Sequence, residues 1–247
     1  MGHMPQTAII IPCYNEANRL RPDDFLEALD HTQGLSFLFV NDGSKDQTQK
    51  IIEDIQVLSP QRVNCLALEF NQGKSEAVRK GFLFSRNGNF DYVGFWDADL
   101  ATPLRTVKPF IEQLETHPAV LMIMGARVRL LGRDIQRLRG RHYLGRIFAT
   151  WASLILKCDV YDTQCGAKLF RNTELVQQIF LDPFISRWVF DVEIIARLSK
   201  LLRSKGQKLE ERVIEYPLRQ WTDVKGSKLR MIHLLSIGYD LLRISFK

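Results

Sequence analysis

Apolar and polar positions change period repeatedly along the first half of the chain. Short apolar runs near residues 7–12, 36–41, 63–69, 91–96 and 119–125 predict strands. The stretches between them, near 23–31, 46–57, 75–85 and 103–116, carry apolar residues at helical spacing and predict helices. Alternation of this kind predicts βαβ units with right-handed crossovers, and so an α/β fold with a mainly parallel central sheet flanked by helices. Two longer helical patterns follow. Over 133–157, Ile135, Leu138, Tyr143, Ile147, Trp151, Leu154 and Ile155 share one face, with arginines mostly elsewhere. Over 227–246, Leu229, Ile232, Leu235, Tyr239 and Leu242 form a stripe, which Met231, Leu234, Ile237, Leu241 and Ile244 widen. Residues 1–247 read as one domain, without internal repeat or low-complexity linker.

Composition adds little to this picture, with 45% apolar and 25% charged residues as in ordinary globular proteins. No apolar run reaches the roughly 18 residues of a spanning helix. Met1 to Met4 resemble an expression scar, and the first strand follows at once, so the expected location is cytoplasmic. Cys13, Cys65, Cys158 and Cys165 are widely spaced, which suits reduced structural thiols rather than zinc or a disulfide framework.

Charge is informative because it is local. Between residues 127 and 146 seven arginines (127, 129, 133, 137, 139, 141 and 146) face one acid, Asp134, so this segment carries the whole net charge of +6. Arginine rather than lysine favours bidentate recognition of phosphate, and a basic helix with an apolar face suits an anionic membrane surface. A solvated helix face is the plain alternative. Aromatic residues are not interleaved as stacking platforms, which argues against nucleic acid.

The chemistry concentrates in four turns, each following an expected strand. They are Pro12-Cys13-Tyr14-Asn15-Glu16, Asn41-Asp42-Gly43-Ser44, Asn71-Gln72-Gly73-Lys74 and Asp97-Ala98-Asp99. All four stand at the carboxyl edge of a parallel sheet, where open α/β folds bind ligands. Asp97 and Asp99 alternate onto one side and make a hard oxygen site for Mg²⁺ or Mn²⁺ bridging nucleotide phosphates. Asp42 can accept from the edge of a base, Gly73 permits close backbone approach, and Lys74 can reach phosphate. Thr102-Pro103 reads as a helix cap followed by proline at the first helical position.

The four turns in this order resemble family 2 glycosyltransferases with the GT-A nucleotide-diphospho-sugar transferase fold. Asp162-Thr163-Gln164-Cys165-Gly166-Ala167-Lys168, Phe190-Asp191-Val192-Glu193 and Trp221 through Gly226-Ser227-Lys228 narrow the resemblance to the dolichyl-phosphate β-glucosyltransferase branch, over nearly the whole chain. The resemblance implies a nucleotide-sugar site framed by Pro12, Tyr14, Glu16, Asp42, Lys74, Asp97 and Lys228. It implies Asp97 and Asp99 at the metal, and Asp99, Asp162 and Asp191 as catalytic candidates. Arg127, Arg133, Arg137 and Arg141 are its candidates for the acceptor phosphate. The implied reaction is inverting, metal-dependent transfer of a hexose, best taken as glucose from UDP-glucose, to a polyprenyl phosphate at the cytoplasmic membrane face. The chain departs from its mannose-synthase relatives at Ala101, where they carry a glutamine, and none of its 247 residues is expected to match the hydrophobic anchor of eukaryotic members.

Three other readings stand beside this one. A soluble family 2 enzyme would use a saccharide hydroxyl acceptor, with Asp191 as base. A polyprenyl-phosphate mannosyltransferase would use GDP-mannose. A nucleotide-sugar-binding module would keep the fold without catalysis. Asp162 also reads as a turn cap, and Trp188 and Trp221 as core residues or walls of a sugar pocket.

Overall fold

In β1 (Thr7–Cys13), Ile9 and Ile11 face one side of a sheet and Ala8 and Ile10 the other, all of them buried. A strand apolar on both faces must sit between two layers. The computed structural model, which describes residues 4–136, 153, 156, 159–224 and 233–245, has that arrangement. A seven-stranded sheet runs in the order β3-β2-β1-β4-β7-β5-β8, with β2 (Leu35–Asp42), β3 (Val63–Leu68), β4 (Tyr92–Trp96), β5 (Met122–Ala126), β7 (Ala167–Arg171) and β8 (Val213–Pro217). Beside it, β6 (Asp134–Gln136) and β9 (Gln220–Thr222) pair in parallel as a two-stranded sheet.

Helices cover both faces. On one side α1 (Pro22–His31), α2 (Thr48–Leu58) and α4 (Val107–Thr116) bury Phe25, Ile52, Ile55 and Phe110 against Phe37, Phe39 and Trp96. On the other, α3 (Lys74–Ser85), α5 (Glu174–Ile179) and α6 (Phe190–Arg203) pack Phe82, Ile179 and Ile194 against Phe95 and Phe170. The C-terminal α7 (His233–Ser245) joins this second core through Leu241 and Ile244.

Strands β1 to β4 are parallel, as the alternation predicts, and β2 and β4 flank β1. The chain therefore reverses its direction of travel across the sheet between β1 and β4, which opens a crevice at their carboxyl ends. One strand breaks the expected pattern, because β7 inserts antiparallel between β4 and β5.

Two other expectations change. The helical reading of 133–157 fails at its start, where Asp134-Ile135-Gln136 is a strand alternating exposed, buried, exposed after Gly132 at φ 77°. A positive φ interrupts helical backbone, and Ile135 alone joins the core. Residues 153 and 156 are helical; the rest of 137–158 lies outside the described residues. Thr102 does not cap a helix. A single 3₁₀ turn, Leu104–Thr106, intervenes before α4, and Pro103 stands at its cap in extended backbone, while the Thr102 carbonyl accepts from Trp96 Nε1 at 2.9 Å. Within α7 the expected stripe is also rotated, since Tyr239 and Leu242 are exposed while Leu241 and Ile244 are buried. Among the described residues no helix is long and apolar enough to cross a membrane.

Candidate active site

Strands end where their apolar alternation gives way to polar turn residues, and here the first two turns are joined by side chains. The amide of Asn15, itself at φ 51°, donates to Ser44 Oγ at 3.0 Å, and Asn15 Oδ1 accepts from the Lys45 amide at 2.8 Å. The Glu16 amide donates to Thr48 Oγ1 at 2.8 Å. Pro12 is buried in β1, Tyr14 lies half-buried beyond it, and the carboxylate of Glu16 grips Arg19 through both oxygens at 2.5 and 2.7 Å.

Asp42 binds the third turn. Its oxygens accept from the amides of Gln72 (2.7 Å) and Gly73 (2.8 Å) and from Asn71 Nδ2 (3.0 Å), and the residue is almost fully buried. Gly73 needs φ 98° to aim its amide there, a conformation other residues rarely adopt. Asp42 thus fixes the loop that delivers Lys74, and about one of its four acceptor positions is left for a ligand. Lys74, first residue of α3, forms an ion pair with Asp97. Burial disfavours its charge, but Asp97, Asp191 and Asp99 together outweigh this and raise its pKa.

Asp97 and Asp99 follow β4 and line a cleft of about 190 Å³, with Arg19, Arg127, Gln164 and Trp221. Gly166 approaches Asp97 so closely that a Cβ there would stand 1.9 Å from Asp97 Oδ2, and the Asp97 amide donates to the Gly166 carbonyl at 2.9 Å. Burial, and next the neighbouring charge of Asp97, push the Asp99 carboxyl above the ordinary carboxylate range, so a cation between the two would relieve both effects. Two carboxylates, with further oxygens from a diphosphate and water, are a fitting donor set for Mg²⁺ or Mn²⁺. No group of three or more His, Cys, Asp or Glu side chains suited to a metal occurs among the described residues, and Ala101, where a third ligand would be sought, is buried.

Lining the same cleft as the acidic pair is Arg127, which follows β5. Asp162 holds it in a fork, Nε to Oδ2 at 2.6 Å and Nη2 to Oδ1 at 2.7 Å, and its guanidinium lies 5.2 Å from the Trp221 ring centroid. Burial works against the Arg127 charge, but Asp162 outweighs it and raises the pKa. Two of five donors are committed to the fork, which leaves three for a ligand. Asp162 is positioned in turn by Glu215 on β8, whose carboxylate accepts from the Asp162 amide at 2.8 Å and the Tyr161 amide at 2.9 Å. Burial raises the Glu215 pKa, and those two amides partly offset it.

Asp191, a candidate sugar contact, base or helix-start residue, does not line the cleft but is close enough to Lys74 to favour its charge. It is buried at the start of α6 and pairs at 2.5 Å with Lys168, which is fully buried in β7. Lys168 Nζ also donates to the carbonyls of Cys165 (2.7 Å) and Thr163 (3.0 Å). The pair therefore holds the loop 163–166 from below. In that loop Gln164 Nε2 is buried at the cleft with no hydrogen-bond partner among the described residues.

Of the expected site residues, Asp97, Asp99, Lys74 and Arg127 come together. Pro12, Tyr14, Glu16 and Asp42 frame the adjoining loops, and Asp162 and Asp191 are paired with Arg127 and Lys168. Arg133 stands in the loop after Arg127 and does not line it. Arg137, Arg141 and Lys228 lie outside the described residues. Cys13 and Cys165 are buried and Cys65 is half-buried. Sequence reasoning missed Arg19, Gln164 and Glu215. A glutamate inside the strand Val-Ile-Glu-Tyr-Pro, and an arginine three residues after Glu16, were the available signals.

The model of glycosyl transferase family 2 matches residues 8–175. The chain is 33% identical over 261 residues to a dolichyl-phosphate beta-glucosyltransferase of Homo sapiens, covering 98% of this chain and 75% of the relative. It is 31% identical over 255 residues to the enzyme of that name from Dictyostelium discoideum, covering 97% and 74%. Among solved structures, glucosyl-3-phosphoglycerate synthase from Mycobacterium tuberculosis in complex with uridine-diphosphate superposes with a TM-score of 0.64 at 17% identity, covering 98% of this chain and 80% of that one. A mannosyltransferase from Pyrobaculum calidifontis in complex with GDP-Man and Mn²⁺ gives 0.60 at 17%, covering 92% and 59%. A strand-order reversal that opens onto paired aspartates and an oriented arginine, matched by that family's model over most of the chain, makes this protein a GT-A glycosyltransferase belonging to glycosyl transferase family 2.

Proposed function

We propose that the chain transfers glucose from UDP-glucose to a polyprenyl phosphate, with inversion at the anomeric carbon, at the cytoplasmic face of a membrane. The relatives named dolichyl-phosphate beta-glucosyltransferase support the donor and acceptor classes. The observation that carries the reading is Arg127, held in one cleft with Asp97 and Asp99 by the Asp162 fork. An acidic pair suits the metal-bound diphosphate of a donor, and an oriented guanidinium suits a second phosphate.

In this reading Pro12, Tyr14 and Asp42 frame the nucleoside. A divalent ion at Asp97 and Asp99 would neutralise charge on the departing nucleoside diphosphate. Lys74, now paired with Asp97, would turn its ammonium to the diphosphate, and Gln164 donates its amide to a sugar hydroxyl. Arg127 orients the acceptor phosphate behind the anomeric carbon for in-line attack. A phosphate monoester with a second pKa of about 6 is mostly dianionic at neutral pH and needs no general base. Asp191, buried against Lys168, suits this acceptor better than a hydroxyl, because its carboxylate is committed to an ion pair.

The test is incubation of labelled UDP-glucose and Mn²⁺ with a polyprenyl phosphate or with a saccharide acceptor, followed by organic extraction. Label is expected in the organic phase, dependent on metal and lipid phosphate and abolished by Asp99→Asn. Transfer to the saccharide alone, or retained turnover in Asp99→Asn, would contradict the reading.

A further inference from the structure

Seven residues, 127–133, connect β5 to β6; the connection starts in the cleft wall and ends beside a strand pair that includes another wall residue. Arg127 lines the cleft at one end; at the other, Ile135 pairs with Trp221, which also lines it. Between them the chain makes a tight turn, closed by the Arg133 amide donating to the Leu130 carbonyl at 3.1 Å, with Gly132 at φ 77°. Turn tips ordinarily carry glycine and small polar residues. This tip carries Arg129-Leu130-Leu131-Gly132, all exposed. Leu130 is half-exposed and Leu131 completely so, the most exposed large apolar residue among those described. A Cβ built on Gly132 would meet nothing within 4 Å, so the tip projects into open space.

A single exposed leucine is ordinary. Two adjacent ones, at the end of a closed turn and flanked by Arg129 and Arg133, make a small apolar wedge with a cationic collar. That chemistry matches a bilayer interface, where apolar side chains enter the acyl boundary while arginines meet anionic headgroups. We propose that Leu130 and Leu131 insert into an anionic phospholipid surface and dock the cleft against it. The inference rests on the reading of the acceptor as a lipid phosphate and deepens it. A polyprenyl phosphate must bring its headgroup to Arg127 while its tail stays in the bilayer, and the wedge begins three residues beyond Arg127.

The experiment is co-flotation of the full chain with phosphatidylcholine vesicles, with and without phosphatidylglycerol. Wild type is expected to bind the anionic vesicles. Leu130→Ser combined with Leu131→Ser should weaken binding on the order of 100-fold, from the loss of two buried leucine side chains, with UDP-glucose affinity unchanged. Arg129→Gln should weaken it roughly fivefold, the share of one cation at an anionic surface. Because both leucines are exposed, folding is not at risk, and Leu131→Trp adds a direct readout, a blue shift of emission when vesicles are added. Flotation of the double leucine variant like wild type, or an unshifted emission, would overturn the proposal. So would loss of a dimer on sedimentation of that variant without loss of vesicle binding, which would assign the wedge to a second copy.

A water-soluble short-chain prenyl phosphate separates this proposal from the activity on which it rests. Transfer to it by a protein whose leucine variant floats like wild type rejects the wedge and keeps the activity. Vesicle binding through the leucines, without transfer to any prenyl phosphate, keeps the wedge and rejects the activity.

Discussion

Gly166 has no room for a side chain, because a Cβ there would overlap the carboxylate of Asp97. The obstacle is the end of a side chain rather than backbone, so the strain of Gly166→Ala can be relieved by swinging Asp97 out of place. The substitution is expected to lower kcat/KM by at least roughly 100-fold, as small misplacements in a reacting site do, with Tm nearly unchanged; a large fall in Tm with activity intact per folded molecule would contradict this assignment. Asp191→Asn should behave in the opposite way. It leaves the Lys168 ammonium buried without a counter-charge, at a cost of about 3–5 kcal/mol, so Tm falls steeply and the activity lost follows the unfolded fraction. If Asp191 were a base, Tm would hold while turnover vanished. Asp97 and Asp99 are legible in the sequence because two carboxylates ending a buried apolar strand have no packing role. The partners of Asp42 and Asp191 are not, since they come from residues 29 to 31 and 23 positions away respectively, brought near only by the fold.

At the scale of elements, the strands and helices of the first half follow from apolar periodicity, since most bury a face or stripe wide enough to set the period; the edge strand β3, with Val63 alone fully buried, still reads as a strand from its apolar run. β6 escapes that reasoning. Three residues with one buried side chain fit a helical stripe as well as a strand, and only pairing with β9 decides between them. The antiparallel entry of β7 is likewise hidden, since a strand's residue pattern does not record its direction. The role of β8 emerges from one residue, Glu215, which ties down the loop bearing Asp162. Replacing it with Ala strands two amides and should cost about 1–3 kcal/mol while loosening the Arg127 fork. Glu215→Gln keeps an acceptor and removes the buried charge. The folded-state pKa of Glu215 is raised, so folding favours its protonated form. That contribution is fully present below the unfolded-state pKa and is lost as pH rises through the raised folded-state value. Thermal melts across this window should show wild type losing stability relative to Glu215→Gln as pH rises; a constant difference would mean that the Glu215 charge is not penalised.

Across the whole molecule, a three-layer sheet presents its strand-order reversal, its acidic pair and its oriented arginine on one rim, and the loop leaving that arginine ends in the apolar wedge. The position of the rim was legible, because four polar turns after four apolar runs can share an edge only in a parallel sheet. Which arginines join the cleft was less legible, because the segment holds seven and Arg127 stands as a candidate together with Arg133, Arg137 and Arg141; among the described residues the cleft and the Asp162 fork single out Arg127. The central proposal divides this cleft, with the acidic pair taking the donor and Arg127 the acceptor phosphate. Its most direct test is steady-state kinetics of Arg127→Ala with UDP-glucose and polyprenyl phosphate varied in turn. The expected result is a KM for the lipid phosphate raised roughly 10- to 100-fold, the loss of a charge-assisted contact, with the KM for UDP-glucose within about twofold of wild type. A raised KM for UDP-glucose with the acceptor KM unchanged would contradict the account and place Arg127 on the donor.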